Sequence, residues 1–82
     1  MSYTLATTRH FERSFRKLER VVRERILERI KELANNPYIG RKMITRPIWY
    51  IRIGYYRVFY HINEERKVVT LIDVVHRRVA YR

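Results

Sequence analysis

Five arginines, a histidine and a tyrosine in the second half of the chain are the residues best suited to chemistry. Arg52 and Arg57 flank a Gly-Tyr pair in the stretch IWYIRIGYYRVFY, and His76, Arg77, Arg78, Tyr81 and Arg82 follow in HRRVAYR. The reaction this set suits is metal-free cleavage of RNA. In that reaction the 2′-hydroxyl attacks the neighbouring phosphate, and guanidinium groups stabilise the charge that builds on the phosphorane oxygens. Arginine stays protonated at any ordinary pH, so it steadies charge and makes a poor base. Proton transfer falls instead to Tyr81, with its pKa lowered by surrounding positive charge, or to His76.

The elements that must carry these groups can be read from local pattern. The runs on either side of Gly54 and Tyr55 are β-branched and aromatic, which predicts a hairpin with Gly54 supplying the positive φ of a II′ turn. That register sets Ile53 opposite Tyr56, Arg52 opposite Arg57, Ile51 opposite Val58, Tyr50 opposite Phe59 and Trp49 opposite Tyr60. Trp49, Ile51, Ile53, Val58 and Tyr60 then share one face. On the other face Arg52 and Arg57 form a like-charge pair that should destabilise the sheet unless an anion sits between them.

Upstream, SYTLATT alternates as a first strand with Tyr3, Leu5 and Thr7 on one side. Phe11, Phe15, Leu18, Val22, Ile26, Ile30 and Leu33 repeat every three or four residues from Thr8 to Asn36, which predicts helix, with Thr8 as N-cap. Glu12 with Arg16 and Glu19 with Arg23 are spaced for i,i+4 pairs, and ANNPYIG stops the segment. GRKMITRP reads as a loop. After the hairpin comes the polar turn NEERK, then the almost unbroken apolar run VVTLIDVV, expected to lie inside the sheet. The predicted architecture is α+β: an N-terminal strand, a helical region and a three-stranded antiparallel meander, with helices on one face of a mostly antiparallel sheet. The arginine pair projects from the other face. Residues 1–82 make a single domain near the lower size limit for independent folding.

Composition narrows the function. Nineteen Lys and Arg against eight Asp and Glu give a net charge of +11, and residues 37–63 hold five basic and no acidic side chains. Nucleic acid or an acidic protein is the natural partner. There is no cysteine, no membrane-length apolar run and no signal-peptide layout, so the expected location is cytoplasmic. His10, His61 and His76 are scattered and no HExxH or carboxylate cluster occurs, so no metal site is expected. Asp73, alone in an apolar strand, is expected to pair with a nearby arginine. With only two glycines, Gly40 and Gly54, the chain lacks the material for a phosphate loop or dinucleotide fingerprint, and no cofactor is expected.

GYYRVFY followed by HRRVAY closely resembles the C-terminal half of the RelE/ParE superfamily of bacterial and archaeal toxins, with its basic residue, G-x-Y-R, strand and H-R-x-x-x-Y. The strand and helices upstream match as well. The resemblance implies a two-helix hairpin broken near Glu19 to Val22 and a functional open sheet face. It further implies the toxin of a type II toxin–antitoxin pair, a ribosome-dependent endonuclease cutting messenger RNA in the decoding site. By matching positions the catalytic set is Arg52, Arg57, Arg77 and Tyr81, with His76 as the alternative acid or base. Lys42, Arg46, Tyr50 and Arg78 are the RNA-binding candidates. Tyr50 stands where some members have a second lysine, and Val75 replaces a glycine often found before the histidine. The implied partners are the ribosome, messenger RNA and a cognate acidic antitoxin with an amphipathic helix. Two other readings remain open at the level of sequence: a ParE-type toxin acting on DNA gyrase, and a basic RNA-binding protein without catalysis.

Overall fold

A computed structural model describes residues 2–80, and the side chains of residues 2–78. Its elements run β1 (Thr4–Thr7), α1 (Arg9–Arg16), α2 (Arg20–Asn35), a 3₁₀ turn at Pro37–Ile39, β2 (Arg41–Lys42), β3 (Trp49–Ile53), β4 (Tyr56–Asn63), β5 (Val68–His76) and a helical turn α3 (Arg77–Ala80). Among the described residues the strands form a five-stranded sheet of order β1-β5-β4-β3-β2. β1 runs parallel to β5 and the other pairings are antiparallel. The expected α+β architecture is therefore present. β5 lies inside the sheet, and one further edge strand, β2, forms within the segment read as a loop. Two residues opposite Tyr50 and Trp49 are too few to leave an alternation in the sequence.

The core joins Phe11, Ile26, Ile30 and Leu33 of the helices to Ile51, Ile53, Val58, Tyr60, Val69, Leu71 and Val74 of the sheet. Burying this apolar surface is the main force holding helices to strands. Thr8 caps α1 as its sequence position predicts, its Oγ1 accepting from the Phe11 amide at 3.0 Å. The same hydroxyl donates to the Ile72 carbonyl at 2.7 Å, so one side chain starts the helix and pins it to β5.

The helix break falls at Lys17–Glu19, earlier than the expected Glu19 to Val22. At the break the Arg23 guanidinium donates to the carbonyls of Leu18 at 2.8 Å and Arg16 at 3.4 Å. Those groups lie at the end of α1, where carbonyls lack partners one turn on. Arg23 is thus engaged there, and Glu12 accepts from the Thr7 hydroxyl at 2.7 Å. Ion pairs on the helix surface join Arg20 with Glu24 and Arg29 with Glu32, in place of the pairs expected at Glu12 and Glu19.

β5 carries a bulge. Phe59 faces Asp73 but Tyr60 faces Leu71, leaving Ile72 as the extra residue. The bulge resets the alternation, which is how Leu71 and Val74, three apart, both reach the core. Asp73 does not meet an arginine as expected. It accepts from His10 Nε2 at 3.1 Å and from the Val74 amide at 2.8 Å.

Beside β2, Tyr60 is buried and donates its hydroxyl to the Pro37 carbonyl at 2.6 Å. Burial pushes this phenol up to about 12. Gly40 lies so close to the sheet that a Cβ there would come within 2.5 Å of the Tyr50 carbonyl and would also meet the Tyr60 hydroxyl. Far from the arginine face, Glu64 in the β4–β5 turn gathers Tyr3, Tyr38 and Lys67. These donors hold its carboxyl down at about 2, the Lys67 hydrogen bond being the largest cause. No helix among the described residues is long and apolar enough to cross a membrane.

Candidate nucleic-acid interface

The β3–β4 hairpin has the register its sequence predicts, from Trp49 opposite Tyr60 to Ile53 opposite Tyr56, with Arg52 opposite Arg57. Gly54 sits at φ 60° and is followed by Tyr55 at an ordinary negative φ, the II′ pattern. Ile51, Ile53, Val58 and Tyr60 turn into the core, so alternation sends Arg52 and Arg57 out of the opposite face. The like-charge pair is accommodated within the protein. The Arg57 guanidinium carbon lies 5.0 Å from the centroid of the Tyr50 ring, which in turn packs 5.8 Å from Phe59. A cation over an aromatic face is attracted to it, so Arg57 leans along the sheet onto Tyr50. Arg57 thus has an aromatic partner of its own beside the like-charge pair.

β2 covers only Tyr50 and Trp49 of β3, and the 3₁₀ turn before it ends at Gly40, close against the Tyr50 carbonyl. The result is a notch at the sheet edge with a cavity volume of about 410 Å³, into which Arg29, Arg41, Arg52 and Arg57 project from α2, β2, β3 and β4 beside Tyr50. Arg41, Arg52 and Arg57, with Arg29 already paired to Glu32, make this concavity a positive site suited to phosphate oxygens.

The tail residues lie round a second concavity, of about 540 Å³, lined among the described residues by Tyr55, His76, Arg77 and Arg78. His76 pairs with Tyr56 on the core-facing alternation of the hairpin, one position beyond the Val75 that faces Arg57. The Arg77 amide donates to the Tyr55 carbonyl at 2.6 Å, tying the start of the tail to the hairpin tip. The Arg78 amide donates to His76 Nδ1 at 3.2 Å, which places the proton of the neutral imidazole on Nε2.

The candidate residues therefore separate into two groups. Arg52, Arg57 and Tyr50 meet in the notch, whereas His76, Arg77 and Arg78 meet at the hairpin tip. Lys42 is exposed on β2 opposite Trp49, and Arg46 is exposed in the connection to β3. Tyr81 lies outside the described residues. Sequence reasoning missed Arg29, Arg41 and Tyr55. For Tyr55 a signal was available, since a large aromatic at the tip of a two-residue turn has no core to enter, and it is 70% exposed. Among the described residues no three His, Asp or Glu side chains gather as a metal-ligand set.

Comparison with known proteins identifies the lineage. Residues 2–81 match the family described as ParE toxin of type II toxin–antitoxin system, parDE. No curated protein matches the chain by sequence. Among solved structures, the chain is similar to the toxin–antitoxin complex RelBE2 from Mycobacterium tuberculosis, with TM-score 0.87 and 26% identity over 94% of this chain and 100% of that one. It is likewise similar to the intact RelBE toxin–antitoxin complex of E. coli, with TM-score 0.83 and 25% identity over 92% and 96%. The fold is shared with the archaeal RelE–RelB complex from Pyrococcus horikoshii, with TM-score 0.79 and 22% identity over 94% and 97%. The chain belongs to the ParE toxin family, within the RelE/ParE superfamily, and is a toxin of a type II toxin–antitoxin system.

Proposed function

We propose that this toxin is an endoribonuclease that cuts messenger RNA on the ribosome by attack of the 2′-hydroxyl on the adjacent phosphate. The observation that supports it most is the notch in which Arg52 and Arg57 lie with Arg29 and Arg41 beside the Tyr50 ring. A phosphate seated there meets several positive donors, of which Arg57 is held in place by the Tyr50 ring before the reaction begins. Arg57 is half-buried and packed against Tyr50, so it acts as the positioned group, while exposed Arg52 closes on the phosphate from solvent. Arg77 adds charge from the hairpin-tip side. Tyr81 carries a proton to or from the reacting oxygens, and His76, protonated at Nε2 when neutral, is its rival. The toxin acts in the cytoplasm and is neutralised in a heterocomplex by a small acidic antitoxin presenting an amphipathic helix.

A second reading has its own support, because the matching family is named for ParE toxins. In it the arginine face contacts DNA gyrase and no RNA is cut. Mapping RNA ends after brief expression in translating cells decides between them. Cuts phased with codons support the endonuclease, and intact transcripts with arrested replication support the gyrase reading.

A further inference from the structure

The hairpin tip leaves a large aromatic ring in water yet holds it in a defined place. Tyr55 is 70% exposed, and its ring lies near-parallel to that of His76, 10° between planes and 6.2 Å between centroids. His76 is fixed in turn. Its ring meets Tyr56 edge-on at 5.2 Å and 84°, and its Nδ1 accepts from the Arg78 amide. The Tyr55 carbonyl is held by the Arg77 amide. The two parallel rings and two flanking arginines line an open concavity of about 540 Å³, a size ordinary for clefts that take small planar ligands.

We propose that Tyr55, backed by His76, is a stacking platform for one unpaired nucleobase of the RNA whose phosphate lies at Arg52 and Arg57. The inference rests on the RNA reading above and adds to it a base subsite and a positioning residue. Base–aromatic stacking needs a flat, accessible ring whose orientation is already set, and both conditions are met here. Tyr55 lies in the turn two residues before Arg57, so their Cα atoms are at most about 7 Å apart, within the reach from a phosphate to the base of a neighbouring nucleotide. Arg77 and Arg78 border the platform, where they offer donors to the phosphate or to base edges. Stacking is sequence-tolerant, so the platform selects for an unpaired base and not for its identity. Its work is to splay the strand and align the 2′-hydroxyl with the phosphate bond it attacks.

The test uses the full toxin and two uncleavable 2′-O-methyl RNA hexamers, one with bases and one wholly abasic, with affinity read by fluorescence anisotropy at fixed salt. Tyr55→Ala is expected to weaken binding of the base-bearing hexamer about tenfold and to leave the abasic hexamer unaffected. Tyr55→Trp is expected to keep or tighten the base-bearing affinity. The thermal midpoint of both variants should match wild type, because the side chain stands mostly in solvent. Equal affinity of wild type and Tyr55→Ala for the base-bearing hexamer, absence of binding by both included, overturns the platform. So does loss of antitoxin affinity in Tyr55→Ala with RNA affinity retained, which assigns the patch to a protein contact. Neither result bears on codon-phased cleavage by the wild type, so the two readings fail separately.

Discussion

The Arg57 guanidinium rests 5.0 Å from the centre of the Tyr50 ring, two positions diagonal to the arginine it faces across the hairpin. Tyr50 occupies a place where some related toxins have a lysine. In this chain the ring steadies the neighbouring cation, and charge comes from Arg29 and Arg41 at the rim of the same notch. This arrangement sets two arginines face to face with Arg57 half-buried against the ring.

Arg57→Ala removes both a repulsion and a cation–π contact, each worth about 0.5–1 kcal/mol, so the stability terms nearly cancel. The thermal midpoint is expected to stay within about 5 °C of wild type, while cleavage on programmed ribosomes and toxicity are lost. A fully toxic variant, or one with a collapsed midpoint, would remove Arg57 from the proposed role.

Tyr81→Phe keeps ring and bulk but cannot carry a proton. It should retain ribosome and antitoxin binding and lose cleavage by about a hundredfold or more. Single-turnover rates for Tyr81→Phe and His76→Ala across a range of pH separate the two candidates. A near-normal tyrosine variant with a crippled histidine variant transfers the role to His76.

The antitoxin should associate at a rate that falls steeply as salt rises, because +11 on 82 residues steers an acidic partner over long range. Stopped-flow association at two ionic strengths measures this. A rate indifferent to salt would mean that apolar burial controls the encounter.

Gly40→Ala forces a methyl group against the Tyr50 carbonyl, at 2.5 Å in the unrelaxed backbone. The Tyr50 carbonyl on one side and the buried Tyr60 and Ile51 side chains on the other leave little to yield, so a loss of about 2 kcal/mol and a midpoint lower by roughly 10 °C are expected. An unchanged midpoint would show that the segment before β2 moves freely off the sheet.

The acid limb of stability should report Glu64. Its carboxyl is held at about 2, below its ordinary value of 4.5, by Lys67, Tyr38 and Tyr3. A depressed carboxyl stabilises the folded state above its unfolded value, and that contribution disappears as pH falls from about 4.5 through about 2. Glu64→Gln should flatten the melting curve's dependence on pH across that window and leave other windows unchanged. An acid limb identical to wild type would mean that the cluster is not held in solution.

Interactions between near neighbours along the chain account for the features legible in the residues alone. Period-two alternation and Gly54 set the hairpin register down to Arg52 opposite Arg57, since both act within a few bonds of the turn. Spacing by three and four marked Phe11, Ile26, Ile30 and Leu33 as core, and Thr8 as a cap. That spacing runs unbroken through Leu18, so periodicity shows no break and the resemblance places it slightly late, whereas Arg23 caps carbonyls five and seven residues away at its actual position. An apolar run such as VVTLIDVV has no phase of its own, and at its bulge the Ile72 carbonyl accepts from Thr8, 64 residues away. The two concavities likewise depend on residues distant in sequence. Arg29 and Arg41 line the same concavity as Arg57 where the short β2 leaves the sheet edge uncovered, and Tyr55 meets His76 because β4 and β5 pair beside the turn. Long-range packing carries no local period, so the tertiary structure alone could decide which charges and rings share a site.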